Sequence, residues 1–183
     1  LNIEELESKI GIKFKNKDLL LEALTHRSYL NERPDWKVDH NERLEFLGDA
    51  VLELVVTEYL FKNYPEPEGV LTTWRAALVN ANMLSLISHK FTLNDYLLLS
   101  RGESKDTGRA RQYILANTLE SVIGAIYLDQ GYEAAKSFID KFVLIELEEI
   151  IKNKSYRDSK SSFQEQAQER VGVTPTYEVM EEW

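Results

Sequence analysis

Residues 112–128 constrain this chain more than any other segment. They carry Ile114, Leu115, Leu119, Val122, Ile123, Ala125, Ile126 and Leu128 without a proline, so apolar side chains cover most sides of a helix and not one stripe. A helix apolar in so many directions has to run through the middle of a domain, with other elements packed around it. Two polar residues interrupt it. Asn117 and Glu120 stand at i and i+3 and therefore share a face. A carboxylate on a buried helix is costly unless something compensates it. Gly124, four residues past Glu120, would let a neighbouring helix come close.

A second long stretch without proline, 41–63, also reads as helix and is ended by Pro65 and Pro67. Its acids Glu42, Glu45 and Asp49 fall at i, i+3 and i+7, on one stripe, beside an apolar face of Leu44, Leu47 and Val51. Like charges so spaced destabilise an isolated helix by about 0.2–0.5 kcal/mol per pair, and no basic residue shares the stripe. Two readings follow: a solvated acidic face, or a cation held jointly with the face that carries Glu120.

Composition limits which cation. The 183 residues hold no cysteine, and the three histidines, His26, His40 and His89, show no zinc-ligand spacing. Any metal would be bound through oxygen, which favours magnesium, manganese or calcium; no EF-hand spacing is present. No apolar run reaches transmembrane length and Leu1-Asn2-Ile3-Glu4-Glu5 lacks signal-peptide character, so the expected compartment is the cytoplasm, away from membranes. The net charge of −9 weighs against a nucleic-acid partner only on average, because Arg101, Lys105, Arg109 and Arg111 form a basic patch in a glycine-containing loop.

The body reads as all-α. Helices are expected over Ile3 to Ile10, closed by Gly11, over Asp18 to Leu24, Asn41 to Asn63, Leu71 to His89, Gln112 to Leu128 and Glu133 to Ile151, with a short turn at Asn94 to Leu98. A polar, basic linker over 152–157 then separates a body of 1–151 from 158–183, which reads as a helix followed by a strand, too little to bury a core of its own.

The run Asn41-Glu42-Arg43-Leu44-Glu45-Phe46-Leu47-Gly48-Asp49 resembles the signature of the ribonuclease III family. Collinear support comes from Leu24 to Tyr29, Glu68 to Leu71, Arg75 to Val79, Ile114 to Glu120 and Ile123 to Asp129. Asp158 to Glu165 and Pro175-Thr176-Tyr177 resemble the opening of an α/β double-stranded-RNA-binding domain, incomplete here. The resemblance implies a homodimeric, magnesium-dependent endonuclease for double-stranded RNA, with manganese as a substitute and no organic cofactor. Its products would carry 5′-phosphate and 3′-hydroxyl ends, and its work would be processing of rRNA and mRNA precursors. By position it implies metal-binding, catalytic roles for Glu45, Asp49, Glu120 and position 117, secondary acids at Glu42 and Glu68, and an interface aromatic at Phe46. Taken alone, Phe46 reads as core, between Leu44 and Leu47. His26 reads as a structural, hydrogen-bonded histidine.

One position departs from the pattern. Asn117 stands where the family usually has aspartate, which removes a charge from the expected ion site and predicts weaker magnesium binding. The alternative is therefore a catalytically impaired double-stranded-RNA-binding homologue. Gln164 and Gln168, at i and i+4, either face an RNA minor groove or form a solvent-facing pair.

Overall fold

The computed structural model describes residues 2–153 and, beyond them, Gln168, Gly172, Val173 and Thr176. Among the described residues the chain forms nine α-helices: α1 (Ile3–Ile10), α2 (Lys17–Ala23), α3 (Arg27–Glu32), α4 (Glu42–Asn63), α5 (Glu68–Val79), α6 (Ala81–Lys90), α7 (Arg109–Gln130), α8 (Tyr132–Phe142) and α9 (Leu147–Asn153). A single parallel bridge joins Thr25 to Leu98, where His26 N–H donates to Leu98 O and Leu98 N–H to Leu24 O. No other strand pairing occurs among the described residues, so the body is all-α as expected.

Helix α7 is the axis of the fold. Leu115, Ala116, Leu119, Val122, Ile123, Ala125 and Ile126 are all buried, and α2, α4, α6 and α8 pack around it. Burying each such aliphatic side chain is worth about 1.5–3 kcal/mol, which is why the most apolar segment takes the centre. Only the helix ends depart from this, with Leu128 turned outward.

Local chemistry explains most boundaries. Asn2 accepts from Glu5 N–H at the start of α1, and Gly11, at φ 73°, ends it in the left-handed conformation that glycine adopts without strain. His26 caps α3 by accepting from Ser28 N–H, so it is the structural histidine expected; burial, the largest influence, pushes its imidazole below the usual range. The helix it starts was not foreseen.

Two expected helices are divided. The span Leu71 to His89 breaks at Asn80, whose backbone is extended (ψ 158°). The Asn80 side chain serves both sides of the break, donating to the carbonyls of Ala76 and Ala77 and accepting from Met83 N–H, which removes the cost of interruption. The span Glu133 to Ile151 divides into α8, a 3-10 turn at Leu144–Glu146, and α9. That tighter turn rotates Ile145, expected in the core, out to solvent. Helix α9 runs through Lys152 and Asn153, so two residues of the expected linker are helical.

Candidate functional site

Helices α4 and α7, each 22 residues long, cross at two glycines. A Cβ at Gly48 would lie 1.7 Å from Glu120 O, and a Cβ at Gly124 would lie 2.3 Å from Leu44 O. Backbone therefore meets backbone, closer than any side chain permits. The close approach expected at Gly124 is present, and Gly48 supplies the matching half. Ser121 ties the same level together, its hydroxyl donating to Asn117 O (2.8 Å) and, across the crossing, to Asn41 O (3.2 Å). Asn41 is buried and anchors the start of α4, donating from its backbone to Thr25 O and from its amide to Ala23 O.

This crossing brings Glu45 and Asp49 of α4 against Asn117 and Glu120 of α7. Glu120 is half-buried on α7, and burial, together with the charges of Asp49, Glu45 and Glu53, pushes its carboxyl up to about 8. Glu45 is also half-buried, and its carboxyl is raised by burial first and then by Glu42; a side-chain hydrogen bond from Asn117 pulls it back. Asp49 is exposed. The two faces that the sequence placed on separate helices are one electrostatic site.

Glu53 is a member that the sequence reading missed. It lies at i+4 from Asp49 and i+8 from Glu45, so the stripe continues one turn further than the signature motif suggests. Glu42 sits at the other end and is not left to repulsion. Arg27 of α3 approaches it at 3.2 Å, a partner from outside α4 that helical spacing could not reveal. Glu68 is elsewhere. It opens α5, accepts from the Thr72 hydroxyl and borders a groove with Leu60, Phe61 and Tyr64. Leu60 is 15 residues along α4 from Glu45, about 22 Å away at the α-helical rise.

The donor set suits a hard cation. Three carboxylates and an amide oxygen offer oxygen only, and all but Asp49 are half-buried. Among the described residues no three acid or histidine side chains close into a ready-made cage.

Phe46 is 82% exposed, so the core reading of it is wrong and an outward role stands open. The basic loop is less available than its composition implies. Arg111 is buried, donating from Nε to Asp106 O and from Nη2 to Glu103 O, and so holds the loop's own backbone. Arg109 lies against the Tyr113 ring. Gln168 is exposed and helical, whereas Gln164 and the remainder of 158–167 lie outside the described residues.

Comparison with known proteins agrees in sequence and in fold. Residues 16–147 match the model of a family described as Ribonuclease-III-like. The chain is 47% identical over 182 residues to ribonuclease 3 of Natranaerobius thermophilus, covering 99% of this chain and 78% of that protein. It is 45% identical over 183 residues to ribonuclease 3 of Chloroflexus aurantiacus, covering 98% of this chain and 74% of that one. Among solved structures, a nuclease domain of ribonuclease III from Campylobacter jejuni, described as flexible in a region involved in dimer formation, superposes with a TM-score of 0.71 at 45% identity, covering 78% of this chain and 96% of that domain.

Proposed function

The chain belongs to the ribonuclease III family and is an endoribonuclease, and we propose that the α4–α7 crossing is its magnesium-dependent site for hydrolysing double-stranded RNA, leaving 5′-phosphate and 3′-hydroxyl ends. The observation that carries this reading is the coupling of Glu120 to Glu45 and Asp49 across two helices joined at Gly48 and Gly124. Acids pressed together at this crossing, with Glu45 and Glu120 half-buried, are stabilised when a cation arrives.

Glu45, Asp49 and Glu120 would hold the ion, and the Asn117 amide oxygen would face it or its water. When bound, magnesium supplies an activated water and neutralises charge developing on the phosphate. The chain's own residues do the rest. Glu120 keeps a proton on its carboxyl below about pH 8 and releases it as the ion is taken up, so ion binding strengthens as pH rises toward that value. Asp49 is the exposed one of these three acids. Glu42, paired with Arg27, and Glu53 extend the acidic edge on either side.

The active form is a homodimer in this reading. Phe46, Leu54 and Phe61 are exposed on α4 at i, i+8 and i+15, with Ala50 and Thr57 between them, so they form one outward stripe. A second copy laid antiparallel on that stripe sets each Phe46 beside the other's Phe61 and its groove of about 570 Å³, lined by Leu60, Tyr64, Leu71 and Arg75. The same pairing carries Glu68 of each copy toward Glu42 and Glu45 of the other. This accounts for an acid that stands far from the site within one chain.

No helix among the described residues is long and apolar enough to cross a membrane, in keeping with a cytoplasmic enzyme acting on rRNA and mRNA precursors. The binding-only alternative draws no support from relatives that bear the name ribonuclease 3. Incubating the chain with duplex RNA, with magnesium or with EDTA, tests the whole reading. Cleavage only with magnesium, giving ends that a ligase joins without prior kinase treatment, is expected. Cleavage in EDTA, or 2′,3′-cyclic ends, would rule it out.

A further inference from the structure

The face of α7 that carries Glu120 does not end at Asn117. Gly124, Glu120, Asn117, Tyr113 and Arg109 recur at three- and four-residue spacing and so lie along one stripe. Exposure grows along it. Gly124 is buried against α4, Glu120 and Asn117 are half-buried, and Tyr113 and Arg109 are exposed. The stripe is therefore closed at its glycine end and open toward the start of α7. Tyr113, one turn beyond Asn117, is a large aromatic side chain that is 47% exposed. The Arg109 guanidinium lies 5.8 Å from the centre of its ring, and Arg109 Nη2 donates to the Tyr113 hydroxyl at 3.4 Å. The hydroxyl thus spends a lone pair on Arg109 and keeps its own proton for another acceptor. The charge of Arg109 is also unspent. Among the described residues it forms no ion pair with a carboxylate, whereas Arg111 is buried and held by the carbonyls of Glu103 and Asp106.

We propose that Tyr113, paired with Arg109, is a substrate-binding residue: its hydroxyl and the Arg109 guanidinium together grip the sugar–phosphate backbone of the RNA strand beside the bond that is cut. This rests on the reading of the α4–α7 crossing as the RNA-cleaving site. Tyr113 stands seven residues from Glu120 and Arg109 eleven, about 10 Å and about 16 Å along α7. The pair is too far from Glu120 to meet the phosphate being cut, and in place for its neighbours on the same strand. An O–H and a guanidinium that converge suit a phosphate oxygen, which only accepts. Lying against the ring restricts the guanidinium, so less freedom is lost when it binds. The acids around the crossing repel the backbone of any strand laid over them. A cation at the open end of the stripe offsets that repulsion and fixes the direction in which the strand leaves the site.

Binding of the full chain to a short RNA duplex, followed by fluorescence anisotropy in calcium over a series of salt concentrations, tests the grip. Tyr113→Ala is expected to bind about tenfold more weakly than wild type, the lower end for a lost hydrogen bond to a charged group. Tyr113→Phe, which keeps the ring beside Arg109, should lose about threefold with the salt dependence unchanged. Arg109→Ala should also lose about tenfold, and should lower the slope of log affinity against log salt by about one. The double variant should lose less than the product of the two single losses, because the side chains act as a pair. Melting temperatures should stay within about 2 °C of wild type, since both side chains are exposed. Four results overturn the proposal: a wild type that does not bind the duplex, unchanged binding by Tyr113→Ala, losses that simply multiply, or a fall in melting temperature that accounts for the weaker binding. Wild type that binds but does not cut the same duplex in magnesium overturns the reading of the crossing, and with it the place of the grip beside the cut. Unchanged binding by Tyr113→Ala overturns the grip alone, so the two failures are distinct.

Discussion

Along its first half, α4 presses Glu45 and Asp49 toward α7 at a crossing where backbone meets backbone; along its second half the same helix turns Leu54 and Phe61 out to solvent beside an open groove. Each half leaves something uncompensated within the single chain. In the first half it is charge, concentrated where water is partly excluded and where the glycines permit no retreat. In the second it is apolar area, left on the surface of a helix whose opposite side is buried through Leu52, Val55, Val56 and Leu60. Charge of one sign in a half-buried site calls for a counterion, and a continuous exposed apolar stripe calls for another protein surface. The difference teaches that one 22-residue helix can carry an acidic edge and an exposed apolar edge at once, because its apolar inner face fixes both in orientation.

The comparison can be broken most severely at its charged end. Glu120→Gln removes the acid with the most perturbed carboxyl, and cleavage of duplex RNA is expected to fall by about 10²–10³-fold, the size of a lost ion contact worth several kcal/mol. Stability should move the other way. The folded Glu120 carboxyl sits at about 8 against an ordinary 4.5, so the folded metal-free protein binds more protons than the unfolded chain between those values. Stability in EDTA therefore declines as pH rises from about 4.5 to about 8, and Glu120→Gln should flatten that decline, as urea unfolding at a series of pH values would show. A variant as active as wild type, or an unchanged pH profile, would detach Glu120 from the site.

The next effect tests whether close approach creates the site. Gly48→Ala places a methyl within 1.7 Å of Glu120 O, and a loss of about 3 kcal/mol is expected from urea midpoints, with cleavage lost even where the fold survives. Gly69→Ala, in α5 with nothing within 4 Å of the added carbon, is the matched control and should not destabilise. Equal behaviour of the two would mean that the helices can separate freely.

On the exposed apolar stripe, which begins beside the acids, Phe46→Ala should weaken self-association by about 2 kcal/mol, roughly 30-fold in the dimer constant, as for a well-seated interface aromatic. Sedimentation at graded concentrations measures it. Metal-free monomer stability should stay near wild type, because Phe46 is 82% exposed. Unchanged association would move the interface off this stripe. The smallest expected effect is at the rim. Arg27 and Glu42 are both well exposed, so Arg27→Ala should change stability by about 0.5 kcal/mol or less.

How much of this was legible in sequence follows from what each signal measures. Apolar patterning located α7 and α4 because it reports which surfaces leave water. It did not locate the breaks at Asn80 or Leu144, since both divided spans keep apolar residues on either side and the capping bonds of Asn80 depend on geometry. The same limit misplaced Ile145, outward on a 3-10 turn, and Phe46, whose apolar neighbours in sequence point inward. Arg111 was read as available charge, yet its guanidinium is spent on two backbone carbonyls of its own loop. Glu53 was legible in principle from its spacing.

By itself the sequence determined an all-α body around one central helix, two acid-bearing faces, the ribonuclease III motifs and a single amide where a carboxylate was expected. Only the tertiary structure decided that those faces are one site, because nothing in helical periodicity says which helices will cross or at what distance. The crossing does so through two glycines 76 residues apart, each without a side chain where the other's helix needs the space. Bringing Glu120 within the field of Glu45, Asp49 and Glu53 while excluding part of the water is what turns ordinary carboxylates into coupled ones.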